Sequence, residues 1–150
     1  MNIVYPHIKN TSRIINYAIC FLIVFVFLSC KKNDVEGIQI GQDLYIGQSL
    51  EENRNLVKLI TKTLNKDSNA LSGLTEFWCG GGAGCYDLGI ITSEIVYKIN
   101  EPEFIKLASK LDSEQKNRLR GLLQAGLEYG YEPSRKIEIE FPNLNVFLIE

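Results

Sequence analysis

Cys79-Gly-Gly-Gly-Ala-Gly-Cys85 is the stretch of this 150-residue sequence whose residue types and spacing could do chemistry. Glu76, Trp78, Tyr86 and Asp87 stand beside it. Successive amides of Gly80, Gly81, Gly82 and Gly84 can cradle an anion or an oxyanion. Trp78 and Tyr86 can stack on a sugar or a peptide, and Glu76 and Asp87 add carboxylates. The competing interpretation is a tight connection between two helices, with glycine supplying positive φ. No Gly-Lys-Ser/Thr follows, the Gly-x-Gly-x-x-Gly spacing does not fit, and no Gly-x-Ser-x-Gly occurs. Those mismatches with the phosphate, dinucleotide and hydrolase motifs favour the connection.

Glu138 and Glu140 are the other acidic pair. On a strand they share a face about 7 Å apart, a separation at which carboxylates can do glycosidase chemistry. The same residues also suit the wet side of an edge strand protected by charge. Lys116 with Arg120, and Arg135 with Lys136, read as solvated basic surface.

Histidine occurs once, at His7. A mature chain without it has no Ser-His-Asp or Cys-His catalysis, no His-ligated zinc and no histidine pH switch. No cofactor or metal is expected. Two of the 16 Lys and Arg lie in residues 1–29 and none of the 18 Asp and Glu do, leaving 14 against 18, or about −4. Nucleic-acid binding would need a basic face and is not expected.

Residues 1–29 contain Lys9 and Arg13 and no acid, and residues 14–28 are apolar except for Asn16. A positive start before an apolar run is the layout of a secretory signal. Fifteen helical residues rise about 22 Å, short of a hydrocarbon core of about 30 Å. The run ends at Ser29-Cys30 and the sequence turns polar at Lys31-Lys32-Asn33-Asp34. This segment resembles the lipobox of bacterial lipoproteins, although Phe27 and Leu28 are bulkier than the usual pattern. The resemblance implies a diacylglycerol thioether on Cys30, cleavage before it and an acylated new N-terminus. Two or three chains would hold the protein on a membrane where one would not. Charged residues just after the cysteine are also similar to the surface-export signals of some Gram-negative lipoproteins. Export leaves Cys79 and Cys85 as the available pair, expected to form a disulfide.

The elements that position these residues follow from periodicity and caps. Ile38, Ile40, Leu44 and Ile46 alternate with polar neighbours, which predicts a short strand or extended lead-in over 37–47. Ser49 to Glu52 is a capping box ahead of a helix predicted over 50–66, with Leu56, Val57, Ile60 and Leu64 at helical spacing. Asp67 or Ser68 caps a second helix, with Leu71, Leu74 and Trp78 on one face. Leu88, Ile91, Ile95 and Ile99 mark a third, and Asn100-Glu101-Pro102 restarts a fourth through Phe104, Ile105, Ala108 and Leu111. Asp112 caps the fifth, with Leu119, Leu122, Leu123 and Leu127; Gly121 and Gly126 weaken it and can admit a close neighbour. Strict alternation over Ile137-Glu138-Ile139-Glu140-Phe141, a turn at Pro142-Asn143 and an apolar run to Ile149 predict a terminal β-hairpin.

The expected fold is mainly α: a small bundle of about five helices with a short C-terminal β-hairpin. The expected organisation is a signal over 1–29, a lipidated tether over 30–36 and one domain over 37–150. The expected function is a membrane-anchored envelope lipoprotein, with the outer membrane as its site, whose non-catalytic domain binds or inhibits another envelope protein. The alternative is an envelope glycan or peptide binder, or a minor hydrolase, centred on the 79–85 loop. A concave pocket with Glu76 and Asp87 converging would favour the alternative; a filled core with Trp78 buried would favour the first.

Overall fold

The computed structural model describes residues 33–150; the signal segment, Cys30 and Lys31-Lys32 lie outside them. Asp34–Val35 (β1) and Ile38–Gln39 (β2) pair antiparallel, Val35 opposite Ile38. Glu36 and Gly37 between them both have positive φ, as a two-residue hairpin turn requires. Helices follow at Gln42–Gly47 (α1), Leu50–Leu64 (α2), Ser68–Thr75 (α3), Ala83–Ile99 (α4), Glu101–Ala108 (α5), Ser113–Tyr129 (α6), Ile137–Glu140 (α7) and Pro142–Ile149 (α8). None among the described residues is long and apolar enough to cross a membrane.

The four helices with local caps start where the sequence predicts. Ser49 and Glu52 close a reciprocal capping box on α2, Asp67 accepts from the amides of Asn69 and Ala70 on α3, Asn100 accepts from Glu103 on α5, and Asp112 with Gln115 closes a second box on α6. Each satisfies backbone donors that a helix start leaves unpaired.

Helices α4 and α6 form the centre and pack against each other more extensively than any other pair. Gly89 and Gly126 meet at their crossing. A Cβ on Gly126 would lie 2.1 Å from the Gly89 carbonyl carbon, and one on Gly89 would lie 2.3 Å from the Leu122 oxygen. The predicted close neighbour of Gly126 is therefore α4; Gly121 faces open space. Around the crossing, Leu88, Ile91, Ile95, Leu119, Leu123 and Leu127 are buried and continuous with Leu56, Ile60, Leu71, Leu74 and Phe104 in one core.

Two predictions are corrected. The hairpin is N-terminal, and the C-terminal segment is helical. Ile137 and Phe141 fit a strand alternation, but Ile137, Phe141, Leu144 and Leu148 are spaced by four, three and four. All four are buried, while Ile139, Val146 and Ile149 are exposed. The helical stripe spans the whole segment and wins over a five-residue alternation. Pro142 opens α8 at a position where proline costs no hydrogen bond. At the other end, of the strand or extended lead-in predicted over 37–47, Ile38 and Gln39 are strand and Gly41 is extended, but Gln42–Gly47 is helical, with Leu44 buried and Ile46 70% exposed. The first strand, Asp34–Val35, lies in residues expected to be tether.

Candidate functional site

Residues 76–82 link α3 to α4, and Cys79 in this link is joined by a disulfide to Cys85 in the first turn of α4, with Cα atoms 4.9 Å apart. Trp78 lies beyond the end of α3 rather than on its buried face, and 72% of it is exposed. Its carbonyl accepts a 2.7 Å hydrogen bond from the Gln48 side chain, which ties the loop to the joint between α1 and α2. Gly80, Gly81 and Gly82 all have positive φ, and a Cβ on any of them would meet nothing within 4 Å. Gly84 instead begins the buried face of α4: a Cβ there would lie 2.3 Å from the Cys79 oxygen and 3.6 Å from the Leu44 Cα. Tyr86 stacks on Tyr129 of α6 with ring centres 4.5 Å apart.

Glu76 and Asp87 do not converge. Glu76 accepts from the Gln115 amide, which also donates to Ser72 Oγ. Asp87 accepts from the amide of Leu44 at 3.0 Å, in the third position of a helix whose N-cap, Gly41, has no side chain to do so. A Cβ on Gly41 would fall 1.9 Å from the Asp87 carboxyl carbon, so the carboxylate occupies the space of the missing side chain. It is a cap supplied from another helix.

Asp87 also borders a groove of about 490 Å³ lined by Asn33, Gln39, Gln42, Tyr45, Ile46 and Ile90, with Ile40 and Gly41. This volume lies in the range of small-molecule sites. Asp87 is the one carboxylate in its lining. Neither condition set by the sequence is met: the two acids do not converge, and Trp78 is not buried. Among the described residues, no group of three His, Cys, Asp or Glu is placed to hold a metal.

The chain segments that carry and flank the loop bear one sign of charge. Residues 39–53 and 67–97 contain no Lys or Arg, while Asp43, Glu51, Glu52, Glu76 and Asp87 lie among them. The Ser49 hydroxyl and amide hydrogen-bond the Glu52 carboxyl and lower its pKa, which keeps it charged. At the same joint, Gln48 Oε1 and Asn53 Oδ1 are buried without a donor among the described residues, although the amide nitrogens of both donate to backbone carbonyls.

The Glu138 and Glu140 pair is not on a strand. Glu138 sits 3.8 Å from Arg120. Glu140 sits 3.7 Å from Arg135 and accepts from the Tyr97 hydroxyl. Burial, then the hydrogen bond to Glu140, raises the Tyr97 pKa. Each carboxylate faces an arginine of its own, so the two do not converge on a shared site as glycosidase chemistry requires. Of the basic residues expected on solvated surface, Lys136 is exposed, but three are packing elements: Lys116 lies 4.1 Å over the Phe147 ring, Arg120 donates to Asn145, and Arg135 lies 4.3 Å over Tyr131. The Tyr97, Tyr131 and Arg135 cluster and the groove leave no local mark in the sequence, because both are built by residues far apart in the chain. No family model, curated protein or solved structure matches the chain.

Proposed function

We propose that this chain is an envelope lipoprotein, held at a membrane by acyl chains on Cys30, whose domain acts without catalysis by binding or inhibiting another envelope protein. The observation that carries this is how the loop's side chains are used. Glu76 and Asp87, the acids available for chemistry, hold Gln115 and cap α1, while Trp78, whose burial was the sign expected for this reading, is instead turned outward at 72% exposure. A group that caps a helix is fixed in place, whereas an exposed tryptophan suits contact with a partner. Metabolic labelling with an alkyne-bearing fatty acid tests the anchor: label is expected on the parent and absent from Cys30→Ser. Recovery of one envelope protein by the Cys30→Ser chain tests the binding. An unlabelled parent, or a chain that retains no protein, contradicts the proposal.

The groove beside Asp87 favours a second reading, a glycan or peptide binder. Its amides, Tyr45 and a carboxylate suit hydroxyl and amide groups. With one carboxylate in the lining, it supports binding rather than hydrolysis, which uses two. Titration with chitotetraose, followed by amide chemical shifts of 39–46 and 86–90, decides it: saturable shifts support the groove, and unchanged spectra at millimolar ligand reject this glycan.

A further inference from the structure

The 77–82 loop has features that joining α3 to α4 does not explain. A simple connection would turn its largest apolar side chain inward, yet Trp78 points out. Among the described residues, no hydrogen bond uses the amides of Gly80, Gly81 or Gly82. Bare main chain therefore faces outward over three residues. The loop is nonetheless held: the disulfide closes it, and Gln48 fixes the Trp78 carbonyl.

We propose that this loop is the docking element of the domain, and that its partner is a protein with a narrow cleft rimmed by Lys and Arg. The proposal rests on the interaction function above and names its contact surface and kind of partner. Three glycines without side chains make a segment slim enough to enter a cleft, and their amides, unused among the described residues, can pair with the partner's main chain. Trp78 supplies the apolar anchor, the residue type that most often dominates binding energy. Cross-linking by the disulfide reduces the ordering that binding would otherwise require. The segments that carry and flank the loop, with Asp43, Glu51, Glu52 and Glu76 and no Lys or Arg in 39–53 or 67–97, complement a cationic rim. The same charge disfavours close approach to an anionic lipid surface.

Photo-crosslinking in the native host tests this with the full chain. Benzoylphenylalanine replaces Trp78 or Glu51, and, for comparison, Ile139 or Val146. Ile139 and Val146 are also exposed, and Ile139 adjoins Glu140, which bonds Tyr97 near the far end of α4. Fourteen helical residues separate Tyr97 from Ala83, about 21 Å. The expected result is a protein adduct from positions 78 and 51 only, mapping to a partner segment flanked by Lys or Arg. Trp78→Ala should weaken recovery of that partner about thirtyfold or more, with an unchanged melting temperature. Adducts from 139 or 146 but not from 78 would overturn the docking assignment while leaving the interaction function intact. A lipid-only adduct at 78, or a partner segment without basic residues, would also overturn it. Absence of any adduct at all four positions would overturn both.

Discussion

Gly126→Ala should drive the two central helices apart, and the cost can be worked from the crossing. The added methyl would lie 2.1 Å from the Gly89 carbonyl carbon, 2.4 Å from its oxygen and 2.5 Å from the Ile90 nitrogen. Non-bonded carbon contacts are comfortable at about 3.5–4.0 Å, so α4 and α6 must separate by more than an ångström. All three atoms are backbone, and no side chain can rotate away. Overpacking of this kind costs about 1–3 kcal/mol. The upper end applies because Leu88, Leu123 and Leu127 also lose contact. Alanine recovers about 1 kcal/mol in helix propensity, leaving a net loss of about 2 kcal/mol. Gly121→Ala, five residues earlier in the same helix, makes the same propensity gain with nothing within 4 Å, so it should stabilise by about 0.5–1 kcal/mol. Urea unfolding followed by circular dichroism reads both. The midpoint should fall for Gly126→Ala and rise for Gly121→Ala, with similar slopes. If both midpoints move in the same direction, or Gly126→Ala is as stable as the parent, the crossing is not as described.

Three more expectations follow from the caps, charges and covalent link. Asp87→Ala removes the outside cap on α1 and should cost about 1 kcal/mol, with faster amide exchange confined to 42–47 and its neighbours. Glu103 is held by Lys106 and Lys66, and their hydrogen bonds lower its pKa from 4.5 to about 2. The ionised form is thus favoured by folding: its stabilisation is complete above pH 4.5 and is lost as pH falls toward 2. The stability difference between the parent and Glu103→Gln should therefore shrink across that window and diminish in high salt, as urea titrations at stepped pH would show. Replacing Cys79 and Cys85 by serine opens a short loop and should lower stability by about 2 kcal/mol by urea unfolding.

What the sequence revealed depended on how far apart the interacting residues are. The starts of α2, α3, α5 and α6 were legible because each cap lies within three residues of the amide it serves. The starts of α1 and α8 were not. Gly41 and Phe141 supply no side-chain cap, and the acceptors come from other helices: Asp87 for the Leu44 amide and Glu101 for that of Leu144. Those pairs are 43 residues apart in the chain. Without a visible cap, the alternation of Ile38, Ile40, Leu44 and Ile46, and of Ile137, Ile139 and Phe141, read as strand. At the candidate site, the disulfide and the open glycines were legible from composition. Trp78 fits the spacing of the α3 stripe, but α3 ends at Thr75, so the periodicity does not carry that far.

Amide hydrogen exchange of the protein alone and in complex with the captured envelope partner tests the central claim most directly. Gly80, Gly81 and Gly82 should exchange rapidly in the free protein, since no hydrogen bond among the described residues protects their amides. In the complex, residues 77–82 and the α1–α2 joint should become protected, while α7 and α8 stay unchanged. Protection confined to α7 and α8, with the loop still exchanging freely, would contradict the account.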